Sequence, residues 1–506
     1  MTSIKFNVTA CTGVYAFHEC IMFCYYGLKS LGYETTLLKS LDPEAINILF
    51  GSYESDWHSL SAQAPHIIIY NWEQVSPEVQ WFNLSYFRQL LNTQVWDYNT
   101  KNIKALQAAG VHNIEHVPLG YSPEMSEIPL PTHLVEGATQ LTDQPEVEQD
   151  IDVLFYGSIS PRRKQTLNAI RARGLKVVST EAKQVNGKER AELIARAKVV
   201  LNIHYYETVG IFEIVRVSYL LANHKAVVSE LSPQTDIEPD IKEAIVSGSL
   251  DELPELCWQL IHDDARRTAL ERKGFETFSK RNAAAILKPV VDKYIANLNT
   301  KPVTPTFSSM PKLLHIGAGP HWRFDAVNID QRADFSPDIV LDIHQPIQFE
   351  QPIDSWRFGQ VKLSKGCFNK ILATNVFQCT NDLLQTLTNC LELLEEGGIL
   401  ELEVPHDLSY GAWSMAHTKR TFNERTWERI LDNWWQYGWE THRFECINQS
   451  FLIVNSYGFE VLDANHNDWE KALKTPRAID AIRVYLRKRK LTSDELHRLP
   501  QRKFLK

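Results

Sequence analysis

Apolar and polar residues follow two distinct patterns along most of this chain. Short, nearly continuous apolar runs predict buried strands, and segments whose apolar residues recur every three or four positions predict amphipathic helices. In the first quarter of the chain these two patterns alternate, and the predicted strands are 4–10, 46–50, 66–70, 94–96 and 114–117. Strands that alternate with helices predict an α/β fold, in which helices cover both faces of a parallel sheet.

The same alternation returns twice farther along the chain. The second set of predicted strands is 151–158, 176–179, 199–204 and 226–229, and the third begins with 313–316, 326–329, 338–341 and 370–374. An acidic stretch with proline and threonine separates the first two sets, and a looser segment with three prolines and two serines precedes the third. We therefore predict three α/β domains, 1–130, 151–299 and 312–490. Linkers 131–150 and 300–311 join them, and a basic tail, 491–506, follows.

The third domain carries candidate ligand-binding residues at the ends of its predicted strands. The first strand leads into Gly317-Ala318-Gly319, where two glycines let backbone amides come within contact distance of a ligand. The second strand ends on Asp330, whose carboxylate can accept both hydrogen bonds of a ribose diol. The third strand ends on Asp342, and the fourth opens into Asn375. This order is typical of a nucleoside-binding domain.

The region 313–490 resembles the class I S-adenosylmethionine-dependent methyltransferases, and most closely the branch found among bacterial cell-surface polysaccharide genes. The matching segments are 314–319, Asn328-Ile329-Asp330 and 394–398, the last ending in Gly397-Gly398. The resemblance implies a Rossmann-like domain that binds S-adenosylmethionine. The residues implied to bind it are Gly317, Gly319, Asp330, Asp342 and Asn375.

Two later parts of this domain complete the prediction. Further strands are predicted at about 451–462 and at 481–486. The fifth predicted strand is 399–404, and the polar segments after it contain His406 and His417. By the resemblance, these segments form a lid over the acceptor. Because a sugar hydroxyl must lose its proton as the methyl group arrives, we predict that one of these two histidines is the base.

The first two domains together resemble glycosyltransferases of the GT-B fold, which consist of two Rossmann-like halves. The segments that carry the resemblance are 155–163, 202–204, 212–216 and 221–230. The resemblance implies that the second half holds a nucleotide-diphosphate sugar. The implied ligands are Gly157, Arg162, Arg163, His204, Glu213, Arg216 and Glu230. Arg162 and Arg163 stand at a strand-to-helix turn, where positive charge and a helix N-terminus favour a diphosphate leaving group.

The first half is predicted to contribute the acceptor side of the cleft. His18 lies at the start of the first predicted helix, and Glu73 follows the strand at 66–70, so both are candidate catalytic residues. Many retaining members have two glutamates eight positions apart before the segment that corresponds to 226–228. Ile211 and Tyr219 stand at those two places, so the sequence leaves open whether the anomeric configuration is retained or inverted.

Composition limits the partners and the compartment. The formal net charge of −9 over 506 residues provides no basic field for nucleic acid. Eight cysteines without a Cys-x-x-Cys pair indicate reduced thiols in a cytoplasmic protein, and no residue cluster predicts a metal site. The N-terminus lacks a signal-peptide pattern, and no apolar run reaches the ~20 residues of a membrane span.

The C-terminal region differs from the rest in charge. From residue 483 onward, nine basic residues accompany two acidic ones. This excess predicts either a solvated tail or weak peripheral contact with an anionic membrane surface. The sequence predicts no oligomeric state.

Three functions are consistent with these patterns. The first is a bifunctional enzyme of bacterial surface-polysaccharide synthesis, which glycosylates a glycan or lipid-linked glycan acceptor and methylates a sugar hydroxyl. The second is a glycosyltransferase whose last domain only binds or docks. Gln378-Cys379 favours this second function, because the methyltransferase family usually has a Glu-His pair there. The third is a nicotinamide-dependent oxidoreductase, which fits less well because Trp322 replaces the third glycine of a dinucleotide fingerprint.

Overall fold

The structure is a computed structural model of the chain, and it divides into two compact units, residues 1–305 and 306–506. It describes residues 4–11, 17–77, 79, 82–129, 132–134, 147–180, 185–205, 210–298 and 310–499. Most of the two predicted linkers and the last seven residues of the predicted tail lie outside the described residues.

The first half of unit 1 is a parallel α/β sheet. Its strands are β1 Lys5–Ala10, β2 Glu34–Thr36, β3 Ile46–Phe50, β4 Ile67–Asn71, β5 Gln94–Asp97 and β6 Ile114–His116. Its helices are α1 His18–Ser30, α2 Trp57–Gln63, α3 Leu84–Asn92 and α4 Thr100–Ala108. The strand order is β2-β1-β3-β4-β5-β6, and every neighbouring pair is parallel. Every residue of β3 and β4 is buried, as expected for strands covered on both faces.

The second half of unit 1 repeats this plan. Its strands are β7 Ile151–Phe155, β8 Val177–Ser179, β9 Ala197–Asn202, β10 Ala226–Glu230 and β11 Val246–Gly248. Its helices are α5 Pro161–Ala172, α6 Gly187–Arg196, α7 Ile214–Ala222, α8 Pro239–Glu243, α9 Leu253–Ile261, α10 Asp264–Ser279 and α11 Ala283–Ala296. The all-parallel order β11-β10-β9-β7-β8 reverses direction between β7 and β9, as the first sheet does between β1 and β3.

The two halves of unit 1 share one hydrophobic core. A single cluster of buried side chains includes Phe23 and Ile68 from the first half, Val217 from the second, and Leu287 from α11. Helix α11 packs on α1 so closely that a Cβ on Gly27 would lie 2.7 Å from Leu287. The two Rossmann-like sheets therefore form one body.

Unit 2 is built on a seven-stranded mixed sheet. The described strands of unit 2, in this sheet and in a separate hairpin, are β12 Leu313–Ile316, β13 Val327–Asp330, β14 Ile339–Val340, β15 Pro352–Ser355, β16 Gly359–Lys362, β17 Phe368–Thr374, β18 Leu394–Pro405, β19 His442–Leu452 and β20 Ala481–Lys490. Its helices are α12 Leu383–Leu393, α13 Thr426–Asp432, α14 Ser456–Ala464, α15 Trp469–Lys474 and α16 Ser493–Arg498. The order is β14-β13-β12-β17-β18-β20-β19, with β20 antiparallel to both neighbours, and β15 and β16 form a separate hairpin.

One predicted strand of unit 2 is wrong. Residues 451–462 do not form a strand, because β19 ends at Leu452 and helix α14 begins at Ser456. Asn455 caps that helix, and its side-chain oxygen accepts a hydrogen bond from the Gly458 N–H at 2.7 Å. The apolar residues of this segment suit a strand or a helix alike, and the capping asparagine decides for the helix.

Four of the nine basic residues from 483 onward form ion pairs within unit 2. Arg483 bonds Glu403 at 2.7 Å, and Lys490 bonds Glu396 at 2.9 Å. Arg487 and Arg489 both bond Glu445. These four side chains belong to β20, whereas the last three basic residues of the predicted tail lie outside the described residues. Among the described residues, no helix is both long and apolar enough to cross a membrane.

Candidate functional site

The candidate site of unit 1 is the cleft between its two halves. In a doubly wound sheet, ligands bind beyond the carboxyl ends of the strands, at the point where the strand order reverses. That point lies between β1 and β3 in the first half and between β7 and β9 in the second. The structure brings side chains from both points into contact with each other.

His18, in the first turn of α1, faces a carboxylate from the chain segment that follows β6. Its Nε2 lies 3.3 Å from Oε1 of Glu127. The other carboxylate oxygen of Glu127 accepts a hydrogen bond from the Tyr219 hydroxyl of α7 at 3.2 Å. A carboxylate beside one ring nitrogen favours the tautomer in which that nitrogen carries the proton, and Nδ1 is then the acceptor.

The next residue of α1 makes a second contact with the other half. Glu19 is buried and forms an ion pair with Arg190 of α6. The Arg190 guanidinium also lies over the ring of Tyr219, 4.8 Å from its centroid. The first turn of α1 is therefore anchored to the second half beside His18.

Glu73, beyond the end of β4, lies across the cleft from Glu213 at the start of α7. Gln74 Nε2 donates to Glu213 Oε1 at 3.4 Å, which joins the two segments. Burial, reinforced by the negative charge of Glu213, raises the pKa of the Glu73 carboxyl to about 7. Glu73 is therefore partly protonated at neutral pH.

The turn after β7 forms a cationic pocket at the N-terminus of α5. Gly157 has a φ of +124°, and a Cβ at this position would lie 2.9 Å from a terminal nitrogen of Arg216. Arg216 donates to Asn202 Oδ1 at 2.8 Å, and its guanidinium lies 5.3 Å from the Tyr156 ring centroid. The glycine thus permits both the turn and the close approach of Arg216, which places positive charge beside the N-terminus of a helix.

The predicted ligands Arg162, His204 and Glu230 bond one another. Both terminal nitrogens of Arg162 donate to the Glu230 carboxylate, at 2.9 and 2.5 Å, and one of them also donates to the His204 carbonyl. The backbone N–H of His204 donates to the same carboxylate at 3.0 Å. Burial lowers the pKa of the His204 imidazole. This cluster fixes the ends of β9 and β10.

Arg163 holds backbone rather than open space. Its guanidinium is buried, donates to the carbonyls of Ser158 and Ile203, and lies over the Phe155 ring. Burial and the charge of nearby Arg216 lower the pKa of Arg163 to about 10. Its contacts shape the turn that carries Gly157, and of the three arginines Arg216 lies nearest to that turn's glycine.

Several buried polar atoms around the cleft have no hydrogen-bond partner among the described residues. These atoms are Trp72 Nε1, Gln74 Oε1, the Tyr156 hydroxyl, the Ser160 hydroxyl and Arg216 Nε. An unpaired buried polar group is costly, so a polar ligand that bonded these atoms would be favoured.

Sequence reasoning missed Glu127, Tyr219 and Gln74 as site residues. Glu127 belongs to no recognisable motif, and Tyr219 is part of the apolar pattern of α7. Only the fold brings Glu127 to His18 and Tyr219 to Glu127. For Gln74 a signal existed, because it stands directly after Glu73 in the polar segment that follows a buried strand.

The candidate site of unit 2 lies at the reversal point between β12 and β17. Gly317 and Gly319 have φ values of +62° and +48°, and a Cβ on Gly317 would lie 2.5 Å from Val376. Asp330 accepts hydrogen bonds from the backbone N–H of Gly319 at 3.0 Å and of Arg332 at 2.9 Å. The glycine turn and the carboxylate at the end of β13 are thus joined directly.

The other two predicted ligands of unit 2 follow neighbouring strands. Asp342 accepts from the backbone N–H of His344 at 3.0 Å and lies just beyond β14. Asn375 follows β17, is exposed, and has a φ of +57°, a conformation that asparagine tolerates better than most residues. All five predicted residues therefore lie at the carboxyl edge of the sheet.

The two candidate bases of unit 2 differ in exposure. His406 is buried at the end of β18, and its Nδ1 accepts from the Leu408 N–H at 3.3 Å. Burial lowers its pKa, against the opposing charges of Asp407 and Glu424. His417 is exposed. Two residues later, the Lys419 N–H donates a hydrogen bond to the Gln378 carbonyl at 2.8 Å. Among the described residues, no group of three or more metal-ligating side chains is present in either unit.

No protein-family model matches the chain. Two relatives are uncharacterised proteins of Acanthamoeba polyphaga mimivirus. L140 is 30% identical over 125 residues, which cover 25% of this chain and 41% of that protein. L138 is 30% identical over 105 residues, which cover 21% of this chain and 12% of that protein. The chain thus spans less than half the length of the curated relatives it matches.

Solved structures that resemble the chain include glycosyltransferases. Alr3699/HepE of Anabaena, solved with UDP-glucose, is 11% identical, with a TM-score of 0.40 over 58% of this chain and 100% of that one. AviGT4, a glycosyltransferase of avilamycin A biosynthesis, is 14% identical, with a TM-score of 0.38 over 59% and 99%. The DNA-modifying β-glucosyltransferase is 15% identical, with a TM-score of 0.39 over 58% and 100%. Because these TM-scores and identities are low, the function proposed below rests on the residues of this chain.

Proposed function

We propose that unit 1 is a glycosyltransferase that moves a sugar from a nucleotide-diphosphate donor to an acceptor hydroxyl. One observation carries this proposal: a cationic turn at a helix N-terminus lies on one side of the cleft, and a histidine held by a carboxylate lies on the other. The first suits a diphosphate leaving group, and the second suits removal of a proton from an acceptor.

The second half would bind the donor through the turn at Gly157. Backbone N–H groups at the start of α5 and the guanidinium of Arg216 would contact the diphosphate oxygens. As the bond to the anomeric carbon breaks, negative charge grows on the leaving phosphate, and these groups stabilise it. Arg162, Arg163 and Glu230 support this pocket by fixing the ends of β7, β9 and β10.

The first half would bind the acceptor and supply the base. His18 donates its Nε2 proton to Glu127 and uses Nδ1 to take the proton of the acceptor hydroxyl as that oxygen attacks the anomeric carbon. Glu127 stabilises the imidazolium that results. The acceptor would be a glycan or a lipid-linked glycan in the cytoplasm, in line with the surface-polysaccharide setting that the sequence resemblance implies.

For unit 2 we propose methylation of a sugar hydroxyl with S-adenosylmethionine. Support comes from the hydrogen bond between Gly319 and Asp330 and from the position of both residues at the point where the strand order of the sheet reverses. Asp330 would bind the ribose diol, and Gly317 and Gly319 would let the backbone approach the ligand. His417 is the better candidate base because it is exposed, whereas His406 is buried.

The experiment for unit 1 is calorimetric titration with UDP, GDP, ADP and dTDP, followed by a mass-resolved transfer assay with the matching nucleotide sugars. We expect one diphosphate to bind and Arg216→Ala to abolish or strongly weaken that binding. Arg171→Ala is the matched control, because Arg171 lies on α5 with its guanidinium bonded to Asn168 and Ser179. Wild-type protein that binds no nucleoside diphosphate would disprove the glycosyltransferase proposal.

The experiment for unit 2 is the same titration with S-adenosylmethionine and with NAD. Binding of S-adenosylmethionine alone supports methyl transfer. Binding of NAD alone would identify an oxidoreductase, and binding of neither would leave unit 2 as a docking module.

A further inference from the structure

Five glutamates line the cleft of unit 1, and they fall into two kinds. Glu19 is paired with Arg190, Glu230 is paired with Arg162, and Glu127 contacts His18 and Tyr219. Glu73 and Glu213, which lie across the cleft from each other, form no ion pair with a described residue. The only described hydrogen bond to either side chain is the one that Gln74 donates to Glu213. The cleft therefore contains one place where two carboxyl groups oppose each other without an ion-pair partner among the described residues, although the charge of Arg163 acts on Glu213.

Unpaired polar atoms flank these two carboxylates. Trp72 Nε1 is a buried donor without a described partner, and Gln74 Oε1 is a buried acceptor without one. The Trp72 ring is fixed by stacking on Tyr98, with centroids 4.5 Å apart and an angle of 10° between the planes. A buried donor, a carboxyl group and a buried acceptor therefore lie on the consecutive residues 72–74, and Gln74 joins this segment to Glu213. Hydroxyl groups satisfy such a mixture, because each hydroxyl both donates and accepts.

We propose that Trp72, Glu73, Gln74 and Glu213 form the subsite for the transferred sugar, and that this subsite selects neutral or amino sugars against uronic acids. The inference rests on the proposed glycosyltransferase function. Glu213 stands at the start of α7, on the donor-binding half, and its charge acts on Arg163 and His204 of the proposed phosphate pocket. A sugar attached to that diphosphate would therefore lie close to Glu213.

The selection follows from charge. A sugar carboxylate in this subsite would be a third acidic group beside Glu73 and Glu213. Burial and the charge of Glu213 already raise the pKa of the Glu73 carboxyl to about 7, so a further negative charge there is unfavourable. A hydroxymethyl group at the same position would instead donate a hydrogen bond to Glu73 or Glu213. A protonated amino sugar would gain from both carboxylates.

The test compares two donors that differ only at C6. The nucleotide that binds best in the diphosphate screen decides which pair of donors is used. If UDP binds best, the pair is UDP-glucose with UDP-glucuronate, and if GDP binds best, it is GDP-mannose with GDP-mannuronate. For ADP and dTDP the pair is the corresponding glucose and glucuronate derivatives. Dissociation constants are measured for both sugars and for the bare diphosphate. We expect the uronate to bind at least tenfold more weakly than the neutral sugar.

Variants decide whether these residues cause the difference. Glu213→Gln and Glu73→Gln keep the shape and hydrogen-bonding capacity but remove a charge, so each should reduce the discrimination. Glu54→Gln removes an exposed carboxylate from the same half and should leave the ratio unchanged. Affinity for the bare diphosphate should survive in all three variants.

The outcomes distinguish failure of this inference from failure of the proposed glycosyltransferase function. A uronate that binds as well as the neutral sugar would overturn the inference. An affinity ratio between the two sugars that both glutamine variants leave unchanged would also overturn it. In either case, diphosphate binding would still support a glycosyltransferase. Failure of every nucleoside diphosphate to bind would instead remove the proposed function, and the inference with it.

Discussion

The candidate sites of unit 1 and unit 2 occupy the same place in their sheets, but the residues that they join lie at different separations along the sequence. Both candidate sites lie beyond the carboxyl ends of parallel strands, where the strand order reverses. In unit 2 the joined residues, Gly319 and Asp330, are 11 positions apart. In unit 1 His18 and Glu127 are 109 apart, and Gln74 and Glu213 are 139 apart. One site is local in the chain, and the other exists only once two halves have folded together.

This difference determines what a substitution should do in each unit. At the local site a single residue holds the ligand through its own bonds, so its removal should lower affinity and little else. At the composite site the residues hold one another as well as the ligand, so effects on rate, affinity and stability should separate from residue to residue.

The largest effect is expected at the composite site. His18→Ala removes the proposed base and should lower the glycosyl-transfer rate by about 10²–10⁴-fold. Affinity for the nucleoside diphosphate should change little, because the diphosphate is bound by the other half. The measurement is kcat and KM in the transfer assay, with His58→Ala on exposed α2 as the control. A wild-type rate in His18→Ala would show that His18 is not the base.

At the local site, Asp330→Ala should weaken S-adenosylmethionine binding by roughly 10- to 150-fold, since each lost charge-assisted hydrogen bond contributes ~1.5–3 kcal/mol. Calorimetric titration measures the change. Asp334→Ala, which removes an exposed carboxylate four residues later, should bind like the wild type. An unchanged dissociation constant in Asp330→Ala would exclude this carboxylate as the ribose ligand.

The Gly157 turn allows backbone strain and ligand binding to be separated. Gly157→Ala forces an alanine to a φ of +124° and against Arg216, so we expect nucleotide affinity to fall about tenfold. Gly174→Ala places an alanine at a φ of +84° with no atom within 4 Å of its Cβ. Both variants should lose stability, but only Gly157→Ala should lose affinity. Equal affinities would show that the turn does not contact the nucleotide.

The last expected effect concerns pH. The pKa of Glu73 is raised to about 7 in the folded protein, so the folded state holds this proton more tightly than the unfolded chain. The free energy of unfolding of unit 1 should therefore fall by roughly 2–3 kcal/mol as pH rises from the ordinary range of a glutamate through about 7, and then level off. Urea unfolding at pH 5 and 8 measures the change. Glu73→Gln should remove it, and a wild-type slope in that variant would assign the titration to another group.

The same contrast explains how much the sequence could predict. The parallel α/β class, the glycine turn and the strand-end carboxylates of unit 2 follow from short patterns, because a buried strand and its terminal residue are consecutive in the chain. The contacts of unit 1 depend on how two sheets meet. Glu127 and Tyr219 therefore had no local signal, and the pairing of Arg162 with Glu230 could not be foreseen from either residue.

The error at 451–462 has a related cause. Alternation and helical spacing are hard to distinguish in a short apolar segment, and a single capping residue, Asn455, decides between them. Likewise, the ion pairs of the four basic residues of β20 could not be predicted, because their partners Glu403, Glu445 and Glu396 lie far away in the sequence.

The core shared by the two halves of unit 1 has a consequence for how this part of the chain folds. Helix α11 comes last in unit 1 and yet packs on α1, which comes first, and the buried cluster around Leu287 contains residues from both sheets. The face of α1 that packs on α11 cannot be buried until α11 has been synthesised. We therefore expect unit 1 to melt in a single cooperative transition, and the first half to reach its full stability only after nearly all of unit 1 has been synthesised.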